Sequence, residues 1–563
     1  MTRHLITSAL PYINGVKHLG NLIGSMLPAD IYARFLRLQG AEVLFICATD
    51  EHGTPAELAA KEAGLEVGEF CRQQHAVQKD VGERFGLSWD HFGRSSSPQN
   101  HALTQHFARR LDEEGYLEER TTKQVYSPVD GRFLPDRYII GTCPHCGYPN
   151  ARGDQCENCT RVLDPTDLID PRSAISESTD LEVRETTHLF LLQSKLVEEV
   201  REWVEAHADV WPTLTLSIAR KWLDEGLHDR GITRDLDWGV PVDRPGFEDK
   251  VFYVWFDAPI EYIGATAEWA DLEATRDWRS WWYDAADVEY TQFMAKDNVP
   301  FHTVSFPVTL LGSREPWTKA HQIKGFNWLT YYGGKFSTSQ GRGVFMDQAL
   351  DTCPADFWRW YLFANAPESS DASFTWENFV VAVNKDLADS FGNLVNRCLT
   401  LSAKHYGAVI PAGGALGERE RRLATELAEV VEVYTTQMTA KDLRKSAGEL
   451  RRGWALANAY WEQSEPWKAV KADPDAAAVI FRTTINVLRV LAVLGEPVIP
   501  SASGRVLESL GARDESWPSS SRIADELDRL PAGHPVEVPP VLFAKITEEQ
   551  LGQLIEQFGG PGG

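Results

Sequence analysis

The chain is 563 residues long, more than one hydrophobic core can organise, and its length predicts about three to five domains. Its 81 Asp plus Glu against 56 Lys plus Arg give a formal charge of -25, which excludes wrapping of nucleic acid over a uniformly basic surface and leaves room for a local basic stripe. With no run of 18 apolar residues and no basic n-region ahead of the first strand, a soluble cytoplasmic protein without membrane contact is expected.

In chain order, Leu5 to Leu10 reads as a short apolar strand punctuated by Pro11 and Gly15. Asn21 to Leu38 then carries helical spacing through Leu22, Ile23, Leu27, Ile31 and Phe35. His18 and Asn21 therefore fall near the positive end of a helix, where free N–H groups attract anions, and Gly20 leaves room for a ligand to approach the main chain. Taken alone, this pattern suits a structural turn with a surface histidine equally well. Ala41 to Ala48 reads as a buried strand and Asp50-Glu51-His52-Gly53-Thr54 as the loop after it, so βαβ alternation predicts a parallel sheet with ligands at the strands' carboxyl ends. Residues 116–230 break that rhythm with turn-rich, cysteine-bearing sequence, as an insertion splitting one fold would. Thr233 to Phe306 is expected to return to strands rich in Trp, Tyr and Phe. From Met346 through Ser501, including Leu423 to Tyr434 and Ala476 to Leu494, the periodicity is helical and predicts a bundle. Leu507 to Gly563 mixes helix with Pro-rich loop and ends in a frayed Gly-Gly-Pro-Gly-Gly.

Cys143-Pro-His-Cys146 and Cys156-Glu-Asn-Cys159 are two CxxC units nine residues apart. Four thiolates converge tetrahedrally on one zinc and leave no position for water, so the expected site is structural, holding together an insertion too small to fold on its own core. His145 is a possible substitute ligand that four cysteines make unnecessary. Cys47, Cys71, Cys353 and Cys398 lie singly within apolar patterns, as core fillers do, and no disulfide framework is expected.

Gly333-Gly334-Lys335-Phe336-Ser337-Thr338-Ser339-Gln340-Gly341 is a small, polar, glycine-flanked loop suited to carrying Lys335 onto phosphates. Together with His18-Leu19-Gly20-Asn21 it resembles degenerate KMSKS and HIGH signatures of the class I aminoacyl-tRNA synthetases. Within that class, Ala9-Leu10-Pro11-Tyr12-Ile13-Asn14-Gly15, Asp50-Glu51-His52-Gly53-Thr54, the single zinc knuckle and Tyr253-Val254-Trp255-Phe256-Asp257-Ala258-Pro259 resemble the methionyl-tRNA synthetase family, over residues 4–505.

The resemblance implies a Rossmann-like α/β catalytic domain split by the knuckle insertion and followed by an all-α anticodon-binding bundle. The corresponding segments are 1–115, 116–230, 231–325, 326–385 with the KMSKS-like loop, and 386–563. It implies activation of methionine by ATP with Mg2+ and transfer to tRNA(Met). It assigns catalysis to His18, Asn21, Lys335 and Thr338, with Gly20, Lys296, Asp297, Ser337 and Ser339 also at ATP. It places methionine against Leu10, Tyr12, Asp50, Trp255, Ala258, Pro259, Tyr262 and His302, and the anticodon against Asn393, Arg397 and Trp467. A carboxylate nucleophile already ionised at neutral pH needs no general base; it needs cations and N–H donors for the charge developing on phosphate, which His18, Lys335 and magnesium would supply.

Three positions depart from the pattern: Asn21 and Thr338 replace a histidine and a lysine, and Ala295 replaces a usual glycine. They keep two other readings open, a catalytically impaired synthetase-like tRNA-binding protein and another class I enzyme such as the cysteinyl one. Valyl, leucyl and isoleucyl enzymes need an editing domain, for which an insertion of this size is too short. Nothing after Ser501 looks like a dimerising oligonucleotide-binding barrel, so a monomer is expected, with tRNA meeting basic faces near Arg397 and Lys404.

Overall fold

The computed structural model describes residues 2–135, 138–153, 156, 158–159, 161, 163, 165–336 and 341–560. Its centre is a parallel sheet of β1 (Arg3–Ser8), β2 (Glu42–Thr49), β3 (His91–Arg94), β4 (Val288–Ala295) and β5 (Gln322–Phe326), in the order β5-β4-β1-β2-β3. Leu5, Ile6, Leu44 to Ala48, Phe293 and Met294 are buried, the continuous apolar run that a sheet covered on both faces demands. The chain leaves β1 toward β2 on one side while β4 pairs on the other, so the order reverses between β1 and β4. A crevice opens there at the carboxyl ends.

The helix after β1 begins at Leu19–Asn21, widens into a π-helical stretch over Leu22–Met26, and continues as an α-helix over Leu27–Leu38. Between β3 and β4 lies the insertion. Its frame is an antiparallel ribbon of Leu117–Ser127 on Glu182–Leu191, in register from Leu117 opposite Leu191 to Tyr126 opposite Glu182. Sequence expected mainly turns here; the exposed outer alternation of charged and threonine residues hid a long strand pair. A small separate core around Val125, Tyr138, Ile139, Cys143 and Cys156 caps the ribbon.

The aromatic stretch from Thr233 to Phe306 departs more from expectation. Apart from β4 it holds only strands of two residues, and the Trp-Phe-rich segment is a helix, Val254–Asp271, with Pro259 inside it. Aromatic and β-branched residues suggested strands, yet Trp255, Ala258, Pro259 and Tyr262 recur at i, i+3, i+4 and i+7, one helical face.

Helices then dominate from Met346 to Ser509, with one short strand at Ala372–Phe374. The helix Pro474–Gly495 is long and apolar enough to cross a membrane, but its apolar window is wholly buried inside the bundle, where Arg489 pairs with Glu515 and Glu526. The tail is more ordered than its Pro-rich composition suggested. Thr547 and Gln550 form a capping box, a Thr-x-x-Gln signal present in the sequence, and open the helix Glu548–Phe558. Tyr331 donates to the Phe558 and Gly559 carbonyls at 3.1 and 2.7 Å, and the Phe558 ring lies 5.2 Å from Trp376. Residues 561–563 lie outside the described residues.

Arg359 joins the halves. Fully buried, it donates to Asp30 Oδ2 at 2.6 Å, to the Phe85 and Gly86 carbonyls at 3.2 and 3.3 Å, and to those of Pro497 and Val498 at 2.8 and 2.9 Å. Burial alone would raise the Asp30 carboxyl, but the guanidinium groups of Arg34 and Arg359 outweigh it and hold it below the ordinary range. Arg359→Ala is expected to lower the free energy of the first urea-induced unfolding transition by about 3 to 5 kcal/mol, the cost of stranding a buried charge partner. A loss below about 1 kcal/mol would show that Arg34 and Ser88 satisfy Asp30 unaided.

Candidate active site

At the start of the helix after β1, Asn21 N–H donates to His18 Nδ1 at 3.3 Å, and His18 N–H donates to Asn21 Oδ1 at 3.2 Å. Nδ1 is therefore an acceptor, which puts the ring proton on Nε2. Burial, reinforced by the charge of Lys17, lowers the His18 pKa to about 4, so the imidazole is neutral near pH 7. Of the cations and N–H donors expected at this site, His18 is thus a neutral N–H donor. Gly20 serves this ring as well, because a Cβ there would press on the imidazole at 3.0 Å. Phe336 stacks on His18 with centroids 4.8 Å apart.

A cavity of about 240 Å³ opens at the switch point. Leu10, Tyr12, Lys17, His18, Gly20 and Asn21 line it from the β1 side, and Ala295, Asp297, Asn298, Trp328, Lys335 and Phe336 from the β4 and β5 side. Trp328 organises the second wall. The Lys335 and Lys296 ammonium groups lie 4.9 and 4.3 Å from its ring centroid, and its indole N–H donates to Asp297 Oδ1 at 3.3 Å. Lys296 does not line the cavity; its ammonium donates to Asp371 at 2.6 Å. Ala295 fits because its neighbour is Gly24: a Cβ on Gly24 would meet the Ala295 methyl at 3.2 Å. Ser337, Thr338 and Ser339 lie outside the described residues.

Behind Leu10 sits a second group. The Tyr262 hydroxyl and His302 Nε2 are 2.7 Å apart, and His302 Nδ1 is 2.8 Å from the Asn298 carbonyl. The carbonyl can only accept, so Nδ1 carries the proton and Nε2 accepts from Tyr262; burial lowers the His302 pKa to about 4 and keeps the ring neutral. Trp255 is 43% exposed and its ring lies 5.1 Å from that of Phe301. Trp255, Ala258, Pro259, Tyr262, His302 and Asp50 do not line the 240 Å³ cavity.

Asp50 follows β2 and is tied to the β1 exit by Asp50 N–H to the Pro11 carbonyl and Ile13 N–H to the Asp50 carbonyl, both 2.9 Å. Its carboxylate is buried and Oδ1 has no hydrogen-bond partner. Burial first, then the charges of Asp257 and Glu51, push its pKa well above the carboxylate range, with Lys17 opposing. Two residues on, His52 Nδ1 lies 2.7 Å from Asp257 Oδ2 in a pair almost without solvent contact, which clamps the Asp50 loop to the Trp255 helix. A buried carboxylate oxygen without a donor is costly until a donor or cation reaches it.

Two further clusters stand apart. The sulfurs of Cys143, Cys146, Cys156 and Cys159 all lie within 4.8 Å of one another, with Cys143 to Cys159 at 3.8 Å and Cys146 to Cys156 at 3.6 Å. A tetrahedron with metal–sulfur bonds of about 2.3 Å has an edge of about 3.8 Å, so the spacing fits one thiophilic ion. In the bundle, Asn393 is exposed one turn from Arg397 on the helix Asn393–Tyr406. The Arg397 guanidinium lies 5.7 Å from the Trp467 ring centroid and pairs with Glu462 at 2.5 Å. Glu465, at φ +42°, ends one helix so that Pro466-Trp467 can begin the next.

Sequence reasoning missed Lys17, Asn298, Trp328, Phe336 and Asp371. Trp328 had a signal, standing two residues beyond the carboxyl end of β5, and Lys17 stood beside the histidine already chosen. Asn298 and Asp371 act through a carbonyl and a long-range pair, which no local pattern reveals.

Residues 4–399 match the family model described as tRNA synthetases class I (M), and residues 410–562 match the anticodon binding domain of methionyl tRNA ligase. The chain is 63% identical over 573 residues to a methionine–tRNA ligase of Streptomyces avermitilis and 59% identical over 572 residues to one of Dinoroseobacter shibae, covering 100% of both chains each time. Among solved structures it resembles Mycobacterium tuberculosis methionyl-tRNA synthetase in complex with methionyl-adenylate, with a TM-score of 0.76 at 24% identity over 96% of this chain and 100% of that one. The apo form of the same protein gives 0.69 at 22% identity, over 97% and 99%.

The strained charge of Asp50 yields a stability test. A carboxyl whose folded pKa is raised favours the fold only while protonated, so its contribution is lost as pH rises through the folded pKa. Asp50→Asn is expected to stabilise the free protein by about 0.5 to 2 kcal/mol at neutral pH, with the gain vanishing below the ordinary carboxylate range. Thermal unfolding of both proteins across pH decides; a variant no more stable at pH 7 refutes the strain.

Proposed function

The chain belongs to the methionine–tRNA ligase family of class I tRNA synthetases, and on that basis we propose how its residues divide the two steps of methionyl-tRNA formation. Methionine and ATP give methionyl-adenylate and pyrophosphate; the methionyl group then passes to the terminal ribose of tRNA(Met). The observation that carries the assignment is the unpartnered, buried Asp50 oxygen where the aromatic wall meets the switch-point cavity. Asp50 takes the substrate ammonium. Leu10, Tyr12, Trp255, Ala258, Pro259, Tyr262 and His302 enclose the thioether, a flexible, polarisable chain suited to aromatic walls. The neutral Tyr262–His302 pair presents no charge to it.

ATP occupies the cavity. Its phosphates meet His18 Nε2–H, the Asn21 amide and Lys335, with Ser337, Thr338 and Ser339 contributing hydroxyls from the loop, and its ribose meets Asp297 beside Gly20. Lys296 stays at the rim through Asp371. A carboxylate oxygen of methionine attacks the α-phosphorus as the bond to pyrophosphate breaks, and no general base is needed. Magnesium, when bound with ATP, neutralises the departing pyrophosphate. Zinc suits the four-sulfur site, since a closed tetrahedral thiolate set has no position for chemistry and holds the tip of the insertion. Asn393, Arg397 and Trp467 read the anticodon, with the indole stacking on an unpaired base. The segments 1–115, 116–230, 231–325, 326–385 and 386–563 then serve as split catalytic domain, knuckle insertion, stem contact and anticodon domain of a cytoplasmic monomer.

Methionine-dependent exchange of pyrophosphate into ATP tests the assignment directly, and Lys335→Ala is expected to slow it about 10² to 10³-fold, the scale for one preorganised donor. A loss under threefold would remove Lys335 from the reaction. Trp467→Ala should lower aminoacylation while leaving that exchange intact; equal damage to both would make Trp467 a packing residue.

A further inference from the structure

The positive charge of the adenylation site does not add up from the two signature motifs. His18 is neutral, Asn21 and Thr338 are uncharged replacements, and Lys296 is engaged by Asp371. Lys335 is exposed at the cavity's far wall. One further cation lines the cavity. Lys17 is 7% exposed, its ammonium donates to Asn14 Oδ1 at 3.2 Å, and among the described residues no carboxylate oxygen lies within 4 Å of it. Its own carbonyl accepts from Met346 N–H at 2.8 Å, which fixes the main chain from which the side chain enters the cavity.

Lys17 lines the cavity beside the β1 exit and the helix start that carries His18. Asp50 attracts it from the end of β2, and the His18 ring feels its charge from the helix start. Lys17 also borders a small second cavity whose other lining side chains are apolar except for Gln78, which is held by the Tyr12 and Gly15 carbonyls. Asp50 and His18 are therefore the titratable groups that face it. A lysine buried this far with one neutral acceptor is costly unless a ligand anion completes it.

We propose that Lys17 is a catalytic cation of this site, its ammonium receiving the amino acid's carboxylate where that group meets the α-phosphate of ATP. This rests on the adenylation reading above and deepens it. With the substrate ammonium on Asp50, the carboxylate faces back along the same backbone toward His18, which is where Lys17 stands. The new carboxylate–phosphorus bond forms as the bond from the α-phosphorus to the bridging oxygen breaks, pyrophosphate leaves with the electron pair, and Lys17 keeps its proton throughout. It supplies the charge that Asn21 and Thr338 leave out of the signatures.

The discriminating probe is methioninol, which keeps the ammonium and thioether but lacks the carboxylate. By titration calorimetry, Lys17→Met is expected to weaken methionine binding about 10- to 100-fold, the scale for one charge-assisted hydrogen bond, while methioninol changes less than twofold. Lys17→Arg should restore most of the difference. Equal weakening of both ligands, or of neither, overturns the proposal. The unaltered protein gives a second measurement that does not depend on a variant folding. Burial, with Asp50 opposing, lowers the Lys17 pKa to about 8, so the preference for methionine over methioninol should fall as pH rises through that value. A constant preference from pH 7 to 9 also overturns it. If the underlying reading is what fails, the unaltered protein will show no methionine-dependent pyrophosphate exchange at all, and the proposal falls with it.

Discussion

The reciprocal hydrogen bonds between His18 and Asn21 set the chemistry of the whole cavity. They satisfy two N–H groups at a helix start, as any good cap does, but they also occupy Nδ1 and so leave Nε2–H as the ring's one donor. An imidazole used this way cannot readily take a second proton, because protonation would require the cap to break. The cap therefore makes His18 a fixed neutral donor. Asn21 is adequate at its position for the same reason, since a side-chain carbonyl is what the cap requires there.

Neutralising the imidazole moves the electrostatic problem elsewhere. Two anions, a carboxylate and a triphosphate, must meet in a partly dry cavity, and the protein adds Asp50 as a third negative group with one oxygen unpaired. The adjoining interior is more acidic still: both Glu261 oxygens are buried without donors, and burial, with Glu268 and Glu51, drives that carboxyl well above its usual range. Such a cluster of buried carboxyls without donors is unfavourable in the free protein and is relieved by any group that brings positive charge to it. The His52–Asp257 pair keeps this arrangement from relaxing by holding the Asp50 loop against the helix that carries Trp255.

Much of this was legible in the sequence where local rules govern. The β1 strand, the capped helix, the buried β2 and the paired CxxC units follow from apolar runs and fixed spacings, and each stands close to its expected place. Legibility failed where tertiary context decides. The Trp255 segment is a helix although its residues favour strands, since packing against β2, β3 and the helix Pro98–Glu113 sets its state. The Leu117–Ser127 ribbon was hidden by an exposed polar face, whereas helix was expected within the Pro-rich tail, where the Thr547 and Gln550 cap sets its start. The site residues that went unread, Trp328 and Asn298, act through a ring face and a main-chain carbonyl, properties that every tryptophan and asparagine possesses.

The junction explains how a chain of this length holds its two functional ends in a fixed relation. One apolar cluster runs without a break from Ile6, Leu22 and Phe293 beside the cavity, through Phe357, Trp358 and Trp360, to Trp454, Trp461 and Phe481 in the bundle. Arg359 sits in that continuity with hydrogen bonds to both halves, and Lys324 bonds Glu368, which in turn accepts from the Leu443 and Arg444 amides. A hinge there would strip a buried guanidinium of its acceptors and open apolar surface to water, each at a cost of several kcal/mol. The distance from Trp467 to His18 is thus set by packing. Binding at one end can reach the other only by small shifts within a close-packed core, or through a ligand long enough to touch both, and a transfer RNA is a ligand of that kind.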